Sequence, residues 1–141
     1  MDTRLLIALL VVAAVIAVVV YRRMSESGPA TAGAGEPGAL GKSVNVATAH
    51  SLLGNPDVFL LDVREPGEYA AVHIPGSTLI PMGQIGRRLD EIPTDRAVIV
   101  ACRSGMRSGQ VCRVLRSHGY NNIHNMKGGM NAWRKAGFPV E

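Results

Sequence analysis

The chain has 141 residues and a formal net charge of +4, a length that suits one domain of about 100 residues with an appendage. It has one Trp and two Phe. A basic excess this modest, with so few aromatic side chains, excludes a nucleic-acid-binding surface, so we expect no nucleic acid partner. The two cysteines lie far apart in the sequence, which agrees with a reducing compartment.

The amino-terminal segment is a candidate membrane anchor. Residues 5–20 are consecutive apolar residues, preceded by Arg4 and followed by Tyr-Arg-Arg at 21–23. A helix of this length spans about 25 Å. Arginines that extend toward the headgroups make up the difference from a hydrocarbon core of about 30 Å. We therefore predict that residues 1–24 form a transmembrane anchor.

Two other interpretations of this segment stay open. A cleaved signal peptide would need a short neutral region after the apolar run, where Arg22 and Arg23 stand instead. A buried core helix is disfavoured because no face of the segment is polar. By the positive-inside rule, the double arginine also predicts that the anchored protein places its domain in the cytoplasm.

The rest of the chain divides into a linker and a domain. Residues 25–41 are rich in Gly, Pro, Ala, Ser and Thr and are predicted to be a flexible linker. In residues 42–141, short apolar runs typical of strands alternate with helical patterns, which predicts an α/β fold with a central parallel sheet covered by helices on both faces. The strands are predicted at 58–61, 78–80, 97–101 and 122–124, and the helices at 66–71, 84–89, 108–118 and 129–136.

Cys102 is the strongest candidate for a catalytic side chain. It directly follows the apolar run 97–101, and ligands of parallel α/β sheets bind beyond the carboxyl ends of the strands. The next residues include Arg103 and Arg107, and a helix is expected from Ser108. Loop amides and the positive end of that helix favour the thiolate, and the arginines offer forked donors to an oxyanion. The pattern predicts a nucleophilic cysteine that acts on a compact anion.

Other polar side chains are weaker candidates. Asp62 and Arg64 lie at the carboxyl end of a predicted strand and are expected to support the Cys102 loop by hydrogen bonds, a structural role being favoured over contact with substrate. Cys112 is interpreted as a small core residue, with a resolving thiol for Cys102 as the alternative. The four histidines lack the spacing of metal ligands, so no metal is expected.

Four segments of the domain resemble the single-domain rhodanese family of sulfurtransferases. They occur in the family's order and cover nearly all of the domain, whereas the apolar segment and the linker lie outside the resemblance. Val72 and Ser77 depart from the glycine and alanine that are common in the family. The segments are LDVREPGEY at 61–69, HIPGS at 73–77, CRSGMRS at 102–108, and GGMNAW at 128–133 with GFP at 137–139.

The resemblance implies a reaction for the domain. Cys102 would take a sulfane sulfur from a donor such as thiosulfate, become a persulfide, and pass the outer sulfur to a thiophilic acceptor such as cyanide or a cellular thiol. Its partners would be small sulfur-containing anions and thiol acceptors, a protein among them, and no cofactor is required. The donor would be held by Arg103, Ser104, Gly105, Met106 and Arg107.

Two alternatives to this activity stay open. One is a module that carries or senses sulfur and turns over slowly. The other is a cysteine phosphatase or arsenate reductase, whose loop places five residues between cysteine and arginine. In this chain only Arg103 to Met106 separate Cys102 from Arg107, so the loop is expected to close around a single sulfur atom and to leave little room for phosphate or arsenate.

Overall fold

Five parallel strands organise the part of the chain that the structure, a computed structural model, describes, residues 40–141. The strand order is β1-β5-β4-β2-β3, and the middle strand β4 is buried along its whole length. A continuous apolar strand is expected where both faces of a parallel sheet are covered. The strands are β1 (Ser43–Val44), β2 (Val58–Asp62), β3 (Thr78–Leu79), β4 (Ala97–Ala101) and β5 (Ile123–Met126).

Three α-helices and two 3₁₀ helices connect the strands of residues 40–141, and a fourth α-helix follows β5. The α-helices are α1 (Val46–Ser51), α2 (Pro66–Ala71), α3 (Met106–Ser117) and α4 (Gly129–Lys135), and the 3₁₀ helices are Met82–Arg87 and Leu89–Glu91. The start of α2 is fixed by its sequence, because Pro66 suits the first turn and Glu65 and Glu68 form a reciprocal capping box. This cap holds Glu68 near the carboxyl edge of the sheet, since α2 follows β2.

The core fills both faces of the sheet, as the sequence predicts. One face buries Leu61 and Val100 against Leu115 of α3. The other buries Ile99 against Trp133 of α4. Neighbouring residues of one strand therefore point to opposite faces, each covered by helix. The predicted α/β architecture is confirmed within residues 40–141.

Several predicted boundaries differ from the structure. The helix predicted at 84–89 is a pair of 3₁₀ helices, and the helix predicted from Ser108 begins at Met106. Strand β1 and helix α1 were not predicted, because two residues and six residues carry too little periodicity to register. Leu40, assigned to the linker, packs partly buried against the core, so the folded unit begins before residue 42.

The predicted transmembrane anchor, residues 1–24, and most of the predicted linker lie outside the described residues. Among residues 40–141, no helix is both long and apolar enough to cross a membrane.

Candidate active site

The sulfur of Cys102 lies at the carboxyl edge of the sheet, directly after β4. The residue is fully buried. Its Sγ accepts a hydrogen bond from the backbone amide of Gly105 at 3.1 Å and one from the hydroxyl of Ser108 at 3.2 Å. Gly105 ends the turn that leads into α3 and Ser108 lies in the first turn of α3, so the sulfur faces donors from both.

These donors set the charge state of Cys102. Burial of the thiol acts to raise its pKa, but hydrogen bonds from the Ser108 hydroxyl and from the amides of Ser108, Ser104 and Gly105 outweigh burial, and the pKa is lowered. The direction agrees with the expected thiolate. The hydroxyl and the amides, rather than the two loop arginines, account for it.

Close backbone packing gives the loop its shape. Gly105 has φ +93°, a left-handed conformation that favours glycine. The carbonyls of Cys102 and Arg103 point away from the sulfur and accept hydrogen bonds from Met130 and Asn131 in the first turn of α4, at 2.8 and 3.0 Å. A Cβ atom on Gly129 would overlap both carbonyls. With the carbonyls held there, the amides are left to face Sγ.

Ser108 and Asn125 are site residues that the sequence analysis missed. The Ser108 hydroxyl lies 2.6 Å from Oδ1 of Asn125 as well as 3.2 Å from Sγ of Cys102. The Asn125 amide group donates to the carbonyl of Gly105 at 3.1 Å, which fixes Oδ1 toward Ser108. The hydroxyl has one proton for two acceptors. The position of Ser108, a small hydroxyl residue at the start of the helix after Cys102, could have indicated its role in the sequence. Nothing in the sequence links Asn125 to the loop.

The two loop arginines have different surroundings. Both terminal nitrogens of Arg107 donate to the carboxylate of Glu68, each at 2.8 Å, and both side chains are about one-third exposed. The pair is a bidentate fork. Arg103 is exposed and contacts no carboxylate within residues 40–141.

The remaining loop positions predicted to hold a donor differ in exposure. Ser104 is exposed and Gly105 is half-buried, while Met106 is 74% exposed and begins α3. The backbone amides of Ser104 and Gly105 act on the sulfur, as described above. A large apolar side chain that stands in solvent beside the loop is available for contact with an incoming molecule.

Asp62 and Arg64 form a buried ion pair that supports α2 rather than the loop directly. Their side chains pair at 2.7 Å and are 1% and 4% exposed. Arg64 also donates to the backbone carbonyls of Glu68 at 3.3 Å and Val72 at 2.8 Å. The expected hydrogen bonds to the Cys102 loop are not seen among the described residues. The pair reaches the loop through Glu68, which binds Arg107.

Cys112 is a core residue of α3. It is fully buried and packs in the same cluster as Cys102. Burial raises the pKa of Cys112 to about 11. A thiol that stays protonated to this pH is a poor nucleophile at neutral pH. The pKa is thus lowered for Cys102 and raised for Cys112, which makes Cys102 the better nucleophile.

A cavity of about 680 Å³ among the described residues lies away from this site. It is lined by residues before β4 and β5, among them Asp95, Arg96 and Asn122, and by none of the predicted site residues. No group of three or more His, Cys, Asp and Glu side chains in this part of the chain is arranged to hold a metal ion. This cavity is therefore separate from the Cys102 site.

Residues 45–136 match the sequence model of the rhodanese-like domain. The chain belongs to this family. A sulfurtransferase of Allochromatium vinosum is 44% identical over 89 residues, which cover 63% of this chain and 83% of that protein. The thiosulfate sulfurtransferase GlpE of Pseudoalteromonas translucida is 34% identical over 95 residues, covering 67% of this chain and 90% of that protein.

A solved structure shares the fold as well. The crystal structure of a rhodanese-related protein from Thermoplasma volcanium superposes with a TM-score of 0.66 at 30% identity, over 72% of this chain and 98% of that one. The resemblance of the Cys102, Gly128 and Asp62 segments to the rhodanese family is thus confirmed at the level of the family.

Proposed function

We propose that the chain is a rhodanese-type sulfurtransferase that carries sulfane sulfur as a persulfide on Cys102. One observation carries the proposal: the sulfur of Cys102 accepts hydrogen bonds from the Gly105 amide and the Ser108 hydroxyl, and its pKa is lowered. Relatives named sulfurtransferase and thiosulfate sulfurtransferase support the same reaction class.

The reaction proceeds in two displacements. The Cys102 thiolate attacks the outer sulfur of a donor such as thiosulfate, the S–S bond of the donor breaks, and its electron pair leaves on sulfite. The persulfide that results keeps a negative charge, which the loop amides and the Ser108 hydroxyl stabilise as they stabilise the thiolate. A thiolate or cyanide then attacks the outer sulfur and regenerates Cys102. Neither displacement needs a metal or an organic cofactor.

A phosphatase or arsenate reductase activity has less support. Such chemistry needs an arginine that is free to bind a tetrahedral oxyanion, whereas Arg107 donates both terminal nitrogens to Glu68. The loop also closes tightly, with the Gly105 amide 3.1 Å from Sγ. These contacts favour a site built around one sulfur atom.

The first prediction tests the persulfide. Thiosulfate added to the purified chain should increase its mass by one sulfur atom, located at Cys102 by peptide mass spectrometry, and adding cyanide should release thiocyanate over many turnovers. Cys102→Ser should show neither result. Cys112→Ser is the matched control and should keep both, because the pKa of Cys112 is raised to about 11. Labelling of Cys112 at the same rate as Cys102 would contradict the assignment, and a single turnover would instead indicate a sulfur carrier.

The location of the protein is a separate proposal, supported by its sequence. The apolar run 5–20, flanked by Arg4 and by Arg22 and Arg23, supports a single amino-terminal membrane helix. The double arginine supports a cytoplasmic domain, joined through the Gly- and Pro-rich linker. Sulfur transfer would then take place at the inner membrane surface.

A further inference from the structure

The Arg107–Glu68 ion pair removes one arginine from the reach of a donor. Both terminal nitrogens of Arg107 are bound by the Glu68 carboxylate. Glu68 is itself held in place, because its Oε2 accepts from the amide of Glu65 at 3.1 Å and its carbonyl accepts from the buried Arg64. The carboxylate is thus fixed by its own helix and is not a mobile surface group.

The pair also lies within electrostatic reach of the sulfur. The pKa of Arg107 is raised, first by the hydrogen bond with Glu68, which exceeds the opposing effect of burial, and further by the negative charges of Glu68, Cys102 and Glu65. Arg107 itself lies between Gly105 and Ser108, whose amide and hydroxyl donate to Sγ of Cys102 at 3.1 and 3.2 Å, so the ion pair stands beside the segment that binds the sulfur. Because Glu68 neutralises Arg107, Arg103 is the loop arginine that has no carboxylate partner among the described residues.

We propose that Glu68 is a donor-specificity residue: by occupying Arg107 and placing a carboxylate beside the Cys102 loop, it makes the site favour sulfane donors of low charge, such as an organic persulfide, over the thiosulfate dianion. This inference rests on the proposed function and names its donor class. Because Glu68 cancels the charge of Arg107, a dianion is repelled by the thiolate and gains only the free guanidinium of Arg103 in return. A donor without net negative charge does not depend on this balance.

The reaction with such a donor is balanced and redox-neutral overall. The Cys102 thiolate attacks the outer sulfur of a persulfide R–S–SH and forms a new S–S bond. The donor's S–S bond breaks, and its electron pair leaves on the inner sulfur as the thiolate RS⁻. The transferred sulfur takes its proton with it or releases it to solvent, so no oxidant, reductant or further reactant is needed.

The test compares two donors on Glu68→Gln in the full chain. Thiosulfate carries two negative charges. Cysteamine persulfide, with its ammonium group, carries no net charge when its persulfide is ionised and one positive charge in the reacting R–S–SH form, so it has no net negative charge in either form. Gln keeps the capping contact with Glu65 but frees Arg107. For thiosulfate, kcat/KM should rise on the order of tenfold, from the removal of one charge near a dianion, while the value for cysteamine persulfide should not rise, because this donor has no net negative charge for the freed guanidinium to attract.

Two variants serve as controls. Glu91→Gln breaks a bidentate pair of the same kind, with Arg88 at 2.6 and 2.7 Å, in the 3₁₀ helix before β4, and should leave both donors unchanged. The double variant Glu68→Gln with Arg107→Gln restores a neutral pair, so the preference between the donors should return to the wild-type value.

The outcomes separate the two proposals. Equal changes with both donors in Glu68→Gln, or a loss with thiosulfate alone, would overturn the specificity role. Salt gives a second test in the wild-type chain, because it weakens the attraction of an anion to a cationic site. If Glu68 neutralises Arg107, that attraction is small, and turnover of thiosulfate should fall by less than about twofold when salt is raised. A steep fall would overturn the specificity role. If neither donor forms a persulfide on Cys102 in the wild-type chain, the proposed function is overturned and this inference with it.

Discussion

Ser108 controls the thiolate of Cys102 through a single proton. Its hydroxyl lies between Sγ of Cys102 at 3.2 Å and Oδ1 of Asn125 at 2.6 Å. When Cys102 is a thiol, the hydroxyl can donate to Asn125, and when Cys102 is a thiolate, the sulfur competes for the same proton. The strength of the sulfur as a nucleophile thus depends on a residue of β5 that never touches it.

The second prediction removes this donor. Ser108→Ala should raise the pKa of Cys102 and lower its thiolate-to-thiol ratio by at least about tenfold, since a hydrogen bond to a charged group contributes roughly 1.5–3 kcal/mol. Persulfide formation increases with pH through this pKa, so its inflection should move to higher pH. Titration of the thiolate's ultraviolet absorbance measures the shift, and Cys112 does not interfere because it titrates at about 11.

The control for Ser108→Ala is Ser117→Ala in the same helix. The Ser117 hydroxyl donates to the carbonyl of Val114 at 2.7 Å and is exposed, so its loss should leave the titration of Cys102 unchanged. An unaltered inflection in Ser108→Ala would show that the loop amides alone stabilise the thiolate.

At the scale of single residues, the sequence predicted the nucleophile but not its neighbours. Cys102 was identifiable because it follows a continuous apolar strand, where parallel sheets place their ligands. Glu68 lies 39 residues from Arg107 and was assigned no role, because a pairing across that separation depends on how α2 packs beside the loop. The charge of Arg103 and Arg107 is evident in the sequence, whereas the pairing of Arg107 with Glu68 depends on the fold.

Among the elements, α4 holds the loop from outside. The amides of Met130 and Asn131 bind the carbonyls of Cys102 and Arg103. Gly129, with φ +52°, permits this approach. Gly129 is therefore explained by the shape of the Cys102 loop, some 27 residues earlier in the chain. Gly128, with φ +79°, is instead required by α4 itself, because a Cβ atom there would overlap the side chain of Ala132.

The third prediction concerns this contact. Gly129→Ala should lower the free energy of unfolding by about 2 kcal/mol or more, because the new Cβ overlaps two carbonyls and the left-handed backbone is strained for alanine. Persulfide formation at Cys102 should slow as well, since the loop carbonyls must move. Urea denaturation and stopped-flow persulfide formation measure the two effects.

The matched glycine is Gly86. A Cβ there meets no atom within 4 Å, and its φ is not positive. Gly86→Ala should change stability by no more than about 0.5 kcal/mol, as for other surface positions. If Gly129→Ala folds as stably and reacts as fast as Gly86→Ala, the loop does not depend on contact with α4.

Strands and helices were predictable from the sequence where an apolar run was long or where capping residues marked the start of a helix. β4 stands out as a run of buried apolar residues, and α2 begins at Pro66, between the two glutamates of its capping box. The signal failed for β1 and for the 3₁₀ helix Met82–Arg87, which are short or depart from the 3.6-residue period. These two elements are held by tertiary contacts, which local patterns do not encode.

On the scale of the whole molecule, the folded unit of residues 40–141 covers its own sheet. Both faces of its sheet are covered by its own helices within residues 40–141, and the residues proposed to act lie in that range. The proposed anchor and linker are therefore expected to position the domain in the cell rather than to complete its site.

The fourth prediction separates location from chemistry. The full chain should remain with membranes through high salt and alkaline carbonate, whereas a chain of residues 40–141 should be soluble and form the Cys102 persulfide at the same rate. Val12→Asp places a charge in the middle of the apolar run, at a cost of roughly 2.5–3.5 kcal/mol for insertion, and should release the full chain from membranes without slowing persulfide formation.

A carboxyl-terminal reporter tests which side of the membrane holds the domain: it should be active as a cytoplasmic fluorescent protein and inactive as alkaline phosphatase. A soluble mature form that begins near Thr31 would overturn the anchor in favour of a signal peptide, and the sulfur chemistry of Cys102 would then belong outside the membrane.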